Sequence, residues 1–517
     1  MDGLSVTQSF YQGKNIFISG ATGFMGKVLL EKLLYSCPGI GKIYILIRPK
    51  RGRSIDLRLD DMFKLPMFQR IRQEKKEVIQ KVKPMDGDIT SDNLGLTDEQ
   101  RETLINEVHL VFHLAATLRM EAKLKDSVEM NVLGTRRMLD LAKQMKHLQL
   151  FLHLSTAFCH VDQEELGETI YDSPDDPNDV IRLCEWMDES TIDMITPKLL
   201  HPHPNTYTYT KRLAETLVAR EYSNIPCAIV RPSIVTPAVE EPVPGWVDNL
   251  NGPTGILVAA GKGVLRSMLC DTRYRAEVIP VDFAINFMIL MTCAIVTKKK
   301  PASIPVFNLT QNQELPVTWG DILKKGRKII YQYPFEGQAW YPGGNARSNK
   351  FVHYLIVFFF HIIPAYLIDF LMLIFRQKRF MVRIQKRISD GMEILQYFTM
   401  RNWKFYNDKI LTLRDQLSLE DQKLFHVKFD VVHIDEYMKI IILGTRQYCM
   451  KEKLSTLPQA RRHQAIMYVI HHLMKFLFYF GILYLIYKHF SLARYLDLIS
   501  QQTSVAVLIQ AVVALQS

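Results

Sequence analysis

Between residues 14 and 235, short apolar runs alternate with amphipathic stretches. The runs cover 14–19, 42–48, 82–88, 108–115, 148–155 and 228–235, and most are apolar at nearly every position. Strands covered on both faces have this pattern, whereas a half-solvated strand alternates. Segments such as 27–35 and 133–146 place apolar residues at helical spacing. Alternation of the two kinds predicts an α/β fold with a Rossmann-like, doubly wound parallel sheet. The pattern fades over 240–272, a Gly- and Pro-containing region expected to supply loops and helices on the substrate side. The polar stretch 333–350, YPFEGQAWYPGGNARSNK, marks a domain boundary.

A mostly helical pattern follows. Segment 351–375 is long and apolar enough to span a bilayer, but it carries His353, His361, Pro364 and Asp369. A span and a buried or interfacial helix pair split at Pro364 both stay open. Segment 467–487 is the better transmembrane candidate, because 476–487 carries no charge and Lys475, His471 and His472 lie at one end. Lys451, Lys453, Arg461 and Arg462 precede it, which by the positive-inside rule puts the earlier domains in the cytosol. The apolar stretch 505–515 is expected to return into the membrane or lie on it. The expected organisation is thus a nucleotide-binding domain over 1–340, a helical domain over 351–452 and a membrane-associated tail over 466–517. The N-terminus lacks a basic flank followed by an apolar run, and the last residues match no retrieval tail.

Composition narrows the class. The chain of 517 residues is 48% hydrophobic and 23% charged, as expected of a globular protein with a large core. Its net charge of +11 is dispersed, so it favours anionic ligands or membranes without indicating nucleic acid. Seven scattered cysteines show no metal-binding spacing and fit a reducing compartment; no metal is expected.

Candidate chemistry begins at Gly20-Ala21-Thr22-Gly23-Phe24-Met25-Gly26, between the first strand and a helix. Glycines there permit a tight turn and close approach to a pyrophosphate, which faces the helix N-terminus. Gly20, Thr22, Gly23, Phe24, Met25 and Gly26 are the expected cradle of a dinucleotide. An NAD site usually ends its second strand on an acidic residue, whereas this chain has Arg48, followed by Lys50, Arg51 and Arg53. A guanidinium suits a 2′-phosphate, so NADPH is the expected cofactor and Arg48 its first reader. Asp88 is placed to accept from the adenine amino group, and Ala115 and Ala116 let the backbone approach the adenosine. Pro232, ending the sixth run, completes the cofactor set.

Tyr207 and Lys211 are four apart on a helix that begins after Asn205, so they share a face. A phenol titrates at about 10, and a neighbouring ammonium is expected to lower that value and make Tyr207 a proton donor. Ser155 and Thr156 end the fifth run, at the edge of the sheet where ligands bind, and Thr156 is favoured for bonding the substrate oxygen. Tyr209 lacks a lysine at the same offset. These residues leave open a reductase, an enzyme acting on a sterol or nucleotide-sugar, and a non-catalytic NADPH-binding membrane scaffold.

The strand-end Ser-Thr, the Gly-rich turn and Tyr-x-x-x-Lys resemble extended short-chain dehydrogenases/reductases. The stretches GATGFMGKVLLEKLL, NTYTYTKRLAE, IVRPSIV and PGWVDNLNGPTGILVAAGKGVLR resemble alcohol-forming fatty acyl-CoA reductases. HIIPAYLIDF, LQYFTMRNWKF and LGTRQYCMKEK resemble that family's helical C-terminal domain, so the similarity covers nearly the whole chain. It implies NADPH-dependent reduction of a long-chain fatty acyl-CoA to a primary alcohol through an aldehyde, on a peroxisomal or endoplasmic-reticulum membrane; an enzyme that stops at the fatty aldehyde stays an alternative. Tyr207 and Lys211 are then catalytic, with Ser155 or Thr156 assisting. A homo-oligomer is compatible with it. The chain departs from the family at Arg376-Gln377-Lys378-Arg379, where a Gly-Lys-Pro-like run is usual, and at Asp435, where a Trp is usual. Phe358, Phe359 and Phe360 are candidates to wall an acyl tunnel, with ordinary core packing the commoner fate. Lys262 and Arg266, on one face if helical, are candidates for the CoA phosphates.

Overall fold

Seven parallel strands form the central sheet of the computed structural model, which describes residues 4–49, 52–298, 302–310, 316–427 and 433–514. They are β1 (Ile16–Ser19), β2 (Ile43–Ile47), β3 (Val82–Asp86), β4 (Leu110–His113), β5 (Leu150–Leu154), β6 (Cys227–Pro232) and β7 (Val306–Leu309). Their order is β7-β6-β5-β4-β1-β2-β3. From β1 the chain moves first to β2 and β3, then crosses to β4 on the other side. This reversal opens a crevice beyond the carboxyl ends of β1 and β4, where Ser19 pairs with His113.

Helices cover both faces, which explains the continuous apolar runs. Ile16 and Ile18 enter one core layer and Phe17 the opposite one, following the two-residue period of a strand. Helix α1 (Phe24–Ser36) follows β1, and α2 (Gly134–Ala142) continues a wider helical turn at Glu129–Leu133. Helices α3 (Thr206–Glu221), α4 (Pro253–Gly261) and α5 (Val281–Thr297) complete this part.

The sixth apolar run is two strands. After Pro232, which has no N–H to extend a ladder, the chain leaves the main sheet, and Ile234–Thr236 pairs with Val278–Pro280. Strand β7 escaped the periodicity because it is only four residues long and includes Asn308.

The C-terminal region holds α6 (Lys350–Ile374), α7 (Met381–Thr399), α8 (Ile434–Gly444) and α9 (Leu457–Ala514). Much of it shares a core with the first part. Ile410, Leu413, Tyr437, Met438, Ile441 and Ile442 belong to the same buried cluster as Ile16 and Ile45. Lys404–Phe405 pairs with Glu165–Leu166, and the Asn308 side chain donates to the Tyr406 carbonyl at 2.8 Å. The boundary at 333–350 therefore marks no break in the core.

Three sequence expectations differ from the structure. Helix α6 is not split at Pro364. A wider turn at Phe358–Ile362 absorbs the proline, whose missing N–H would otherwise orphan a carbonyl. Phe358, Phe359 and Phe360 are exposed, so they neither wall a tunnel nor pack in the core. Helix α9 runs without reversal to Ala514, so the stretch from 505 extends the same helix. Lys50, Arg51 and Leu515 lie outside the described residues.

Candidate active site

The turn after β1 has the shape the glycines imply. Gly20 has φ +77°, and a Cβ there would lie 2.6 Å from the Ala115 amide nitrogen. A Cβ on Gly26 would collide with the Gly20 carbonyl oxygen and Ala21. Gly20 thus lets the turn close against the end of β4, and Gly26 lets α1 pack on β1. Gly23 caps α1 without any side chain bonding the first amides, and it is exposed, with Thr22, Phe24 and Met25 half-buried around it. These free amides and the dipole behind them suit an anionic pyrophosphate.

Arg48 follows β2 and Asp88 follows β3, so the parallel pairing of these strands brings the two together, 3.5 Å apart. Asp88 also accepts from the Thr90 amide and hydroxyl, both at 3.0 Å. Ala115 and Ala116 continue β4 at the crevice. The strand end is braced by Asn131, whose side chain accepts the Thr117 amide at 2.8 Å and donates to Thr210 at 2.9 Å.

Ser155 and Thr156 follow β5 and are buried. Helix α3 is capped by Asn205, whose side chain accepts the Thr208 amide at 2.9 Å, and this start sets the phase of the helix. In that phase the Tyr207 phenol comes close enough to Thr156 for the threonine hydroxyl to act on it. Lys211 Nζ donates to the Leu154 carbonyl at 2.6 Å, one residue before Ser155. Tyr209 packs in the core layer that holds Phe17 and donates to Asp175 at 2.8 Å. Pro232 ends β6 beside this group, its carbonyl accepting the Ala157 amide at 3.0 Å.

The electrostatics differ from the sequence expectation. Burial pushes the Tyr207 phenol up, the Cys159 thiol adds to this, and the nearby Thr156 hydroxyl only partly offsets it. Burial also brings Lys211 down to about 8, against the opposing pull of Cys159 and Glu215. The lowered Tyr207 is therefore corrected: desolvation dominates both groups, and the ammonium is directed at a backbone carbonyl.

One turn beyond Lys211 lies Glu215, which sequence reasoning missed. It accepts from Arg231 Nε at 2.9 Å and Nη2 at 2.7 Å, and from the Cys159 thiol at 3.3 Å. His160 Nε2 is 2.9 Å from the same carboxylate. Burial alone would raise this carboxyl, but Arg231 and His160 hold it well below the usual range. Cys159, His160 and Glu215 have the donor chemistry of a metal site, yet the Arg231 guanidinium already engages Glu215 and His160.

Family models described as male sterility protein match residues 18–288 and 360–452. The fatty acyl-CoA reductase 1 of Xenopus laevis is 40% identical over 454 residues, which is 88% of either chain. That of Homo sapiens is 37% identical with the same coverage. The chain belongs to the fatty acyl-CoA reductase family. A putative fatty acyl-CoA reductase of Drosophila melanogaster is 35% identical over 92% of this reductase and 94% of its own length. Among solved structures, the terminal R domain of the myxalamid pathway aligns over 86% of this chain and 91% of its own, with TM-score 0.54 and 17% identity. The reductase domain of a nonribosomal peptide synthetase from Mycobacterium tuberculosis aligns over 85% and 95%, with TM-score 0.55 and 14% identity. These two share the fold.

In this reductase Lys262 and Arg266 do not form the helical pair expected of them. Helix α4 ends at Gly261, and Gly263 turns the chain at φ +75°. Lys262 Nζ donates to the Glu336 carbonyl at 2.7 Å and pairs with Glu452 at 3.4 Å. Arg266 Nη1 donates to the Tyr341 carbonyl at 2.7 Å. Both side chains are bonded to the stretch 336–341, and Lys262 also reaches Glu452 of the C-terminal region. Glu215, by contrast, was signalled by the four-residue ladder Tyr207–Lys211–Glu215, and Arg231 by a charge inside an apolar strand.

Proposed function

We propose that this reductase converts long-chain fatty acyl-CoA to the primary alcohol and free CoA, using NADPH. The observation that carries the reading is the grouping of buried Tyr207 and Thr156 with Lys211, whose Nζ is held at the Leu154 carbonyl, at the carboxyl edge of the sheet and in a chain of this family. The residues present fit a dinucleotide: a tight turn opened by Gly20, free amides at the start of α1, and Arg48 beyond β2 for a 2′-phosphate. When bound, NADPH supplies the hydride.

Thioester to alcohol plus thiol requires two hydrides and two protons. In the first half, the hydroxyls of Thr156 and Tyr207 donate to the carbonyl oxygen as it gains negative charge. The resulting hemithioacetal expels the CoA thiol and leaves an aldehyde. In the second half, Tyr207 protonates the alkoxide. Lys211, held at the Leu154 carbonyl, orients the cofactor side of the site. Ala115, Ala116 and Asp88 line the adenosine end.

The apolar part of α9 anchors the enzyme in a bilayer. It crosses the length threshold for a span, and none of its apolar window is buried. Lys451, Lys453, Arg461 and Arg462 support a cytosolic catalytic unit, and the family resemblance implies a peroxisomal or endoplasmic-reticulum membrane. The test is mass spectrometry of lipids made by the purified full chain from palmitoyl-CoA and NADPH. Hexadecanol and free CoA are expected, with two NADPH consumed per alcohol. Accumulation of hexadecanal alone would limit the enzyme to the first half, and no product from any acyl-CoA would overturn the assignment.

A further inference from the structure

Helix α6 is also long and apolar enough to cross a bilayer, yet its two faces are unlike. His353, His361, Ala365 and Asp369 recur at helical spacing and are buried. Phe351, Phe359, Tyr366, Phe370 and Ile374 are exposed. The buried polar groups are all bonded to neighbouring chain. His353 Nδ1 lies 2.8 Å from Ser267 Oγ. His361 Nε2 accepts the Arg266 amide at 2.8 Å, and its Nδ1 meets the Gln385 side-chain amide at 2.7 Å. The Asp369 carboxylate accepts the amides of Phe380, Met381 and Val382 at 3.0, 2.8 and 3.0 Å, which caps α7 and fixes the turn between the helices. Asn345–Arg347, just before α6, pairs with Ser267–Leu269. A helix fastened along one side in this way crosses a bilayer only if the polar unit behind it enters as well.

The turn and the start of α7 carry Arg376, Lys378, Arg379, Arg383, Lys386 and Arg387, with no acid between 376 and 389. All six are exposed. Arg376 sits at φ +54°, so a cation occupies a conformation that glycine adopts without strain. An apolar stripe ending in a cluster of cations matches lipid tails beside anionic headgroups. The start of α9 is tied to the segment that leads into α6. Trp340 Nε1 donates to His471 at 2.9 Å, and the Tyr341 ring packs on Tyr468 at 5.2 Å. The Tyr341 carbonyl is held by Arg266, the residue whose amide binds His361.

We propose that the α6–α7 hairpin is an in-plane docking surface for an anionic bilayer and not a second span. Helix α7 then links that surface to the reaction. Its 19 residues extend for about 28 Å, and near its far end Phe398 packs on Phe158 at 5.3 Å, two residues past Thr156.

Depth measurements on the full-length chain in vesicles test this. Phe359→Cys, Tyr366→Cys and Phe370→Cys would each carry a fluorophore, with Cys449→Ser removing the one native thiol that is not buried. Vesicles of phosphatidylcholine and phosphatidylserine would contain lipids bearing a nitroxide at a shallow or a deep carbon. Equal, preferential quenching by the shallow nitroxide at all three sites is expected. A depth gradient from 359 to 370 would show a span, and no quenching would show a face covered by protein; either overturns the proposal. Reversing Arg379, Arg383, Lys386 and Arg387 to Glu should reduce shallow quenching several-fold in phosphatidylserine vesicles and leave it unchanged in neutral ones. Equal quenching before and after reversal would overturn the anionic-lipid preference. The readout is lipid contact, so it stands or falls separately from the reaction proposed above.

Discussion

Tyr207 and Tyr209 lie two residues apart on one helix and meet opposite surroundings. Tyr207 reaches Thr156, whereas Tyr209 packs with Phe17 and donates to Asp175. Tyr207→Phe is expected to lower turnover by about 10²–10⁴ while NADPH still binds, and Tyr209→Phe to keep most of the activity. Steady-state kinetics on both variants, with a fluorescence titration of NADPH, check this. Near-normal turnover in Tyr207→Phe would refute the role. Lys211 adds a pH dependence. Burial lowers it to about 8, so its ammonium is present below that value and lost as pH rises through it. The rate should fall on the alkaline side with an apparent pKa near 8, and Lys211→Arg should remove that limb from whatever activity remains. Stability has the opposite sign. The unfolded chain keeps this proton up to about 10.4, so Lys211 favours folding increasingly as pH rises from about 8 to 10. A limb unaltered in Lys211→Arg would assign it to another group. Arg48 governs coenzyme choice in the proposed reading. Losing one charge-assisted contact costs about 1.5–3 kcal/mol, so Arg48→Ala should weaken NADPH roughly tenfold to a hundredfold and NADH little. Equal loss for both coenzymes in calorimetric titrations would point to a structural effect.

Helix α3 organises three functions by one spacing. Tyr207, Lys211 and Glu215 share a face, the first two toward the crevice and the third into a fully buried ion pair with Arg231. Removing one partner of such a pair strands a charge. Glu215→Ala is expected to cost about 3–5 kcal/mol, read as a lower unfolding midpoint. The double variant Glu215→Ala, Arg231→Met should recover part of the loss, because no charge is left without its partner. If the double variant is less stable than Glu215→Ala, the guanidinium stabilises the strand for another reason. The ladder was visible in the sequence, but its partner was not. Arg231 lies on β6, and only the packing of α3 over that strand brings them together.

At the scale of the molecule, the sheet and the C-terminal helices are one unit. Tyr437, buried on α8, donates to the Pro237 carbonyl at 2.7 Å and lies 2.6 Å from the Thr236 hydroxyl. A chain cut at residue 344, within the polar stretch that reads as a boundary, would expose the core that α8 and residues 404–427 cover. Such a chain should be insoluble or bind hydrophobic dyes, whereas the full chain should unfold as one cooperative step. A soluble, NADPH-binding 1–344 fragment with sharp NMR dispersion would refute this.

Local patterns sufficed for the parallel sheet, the Gly20 turn and the juxtaposition of Tyr207 with Lys211, because each depends on residues a few positions apart. Strand period, helical spacing and the need for glycine at positive φ are written within one element and its turn. Three outcomes needed the tertiary structure. Lys262 and Arg266 became bonded to the stretch 336–341, and Lys262 also to Glu452, because partners 70 or more residues away fold against them. The apolar segment 351–375 acquired one fastened and one exposed face, because Ser267, Arg266 and Gln385 meet its histidines. The Tyr207 phenol moved up and not down, because the same packing that places it beside Thr156 also removes water from it. Burial and charge pairing act through space, so they depend on neighbours that sequence distance does not reveal.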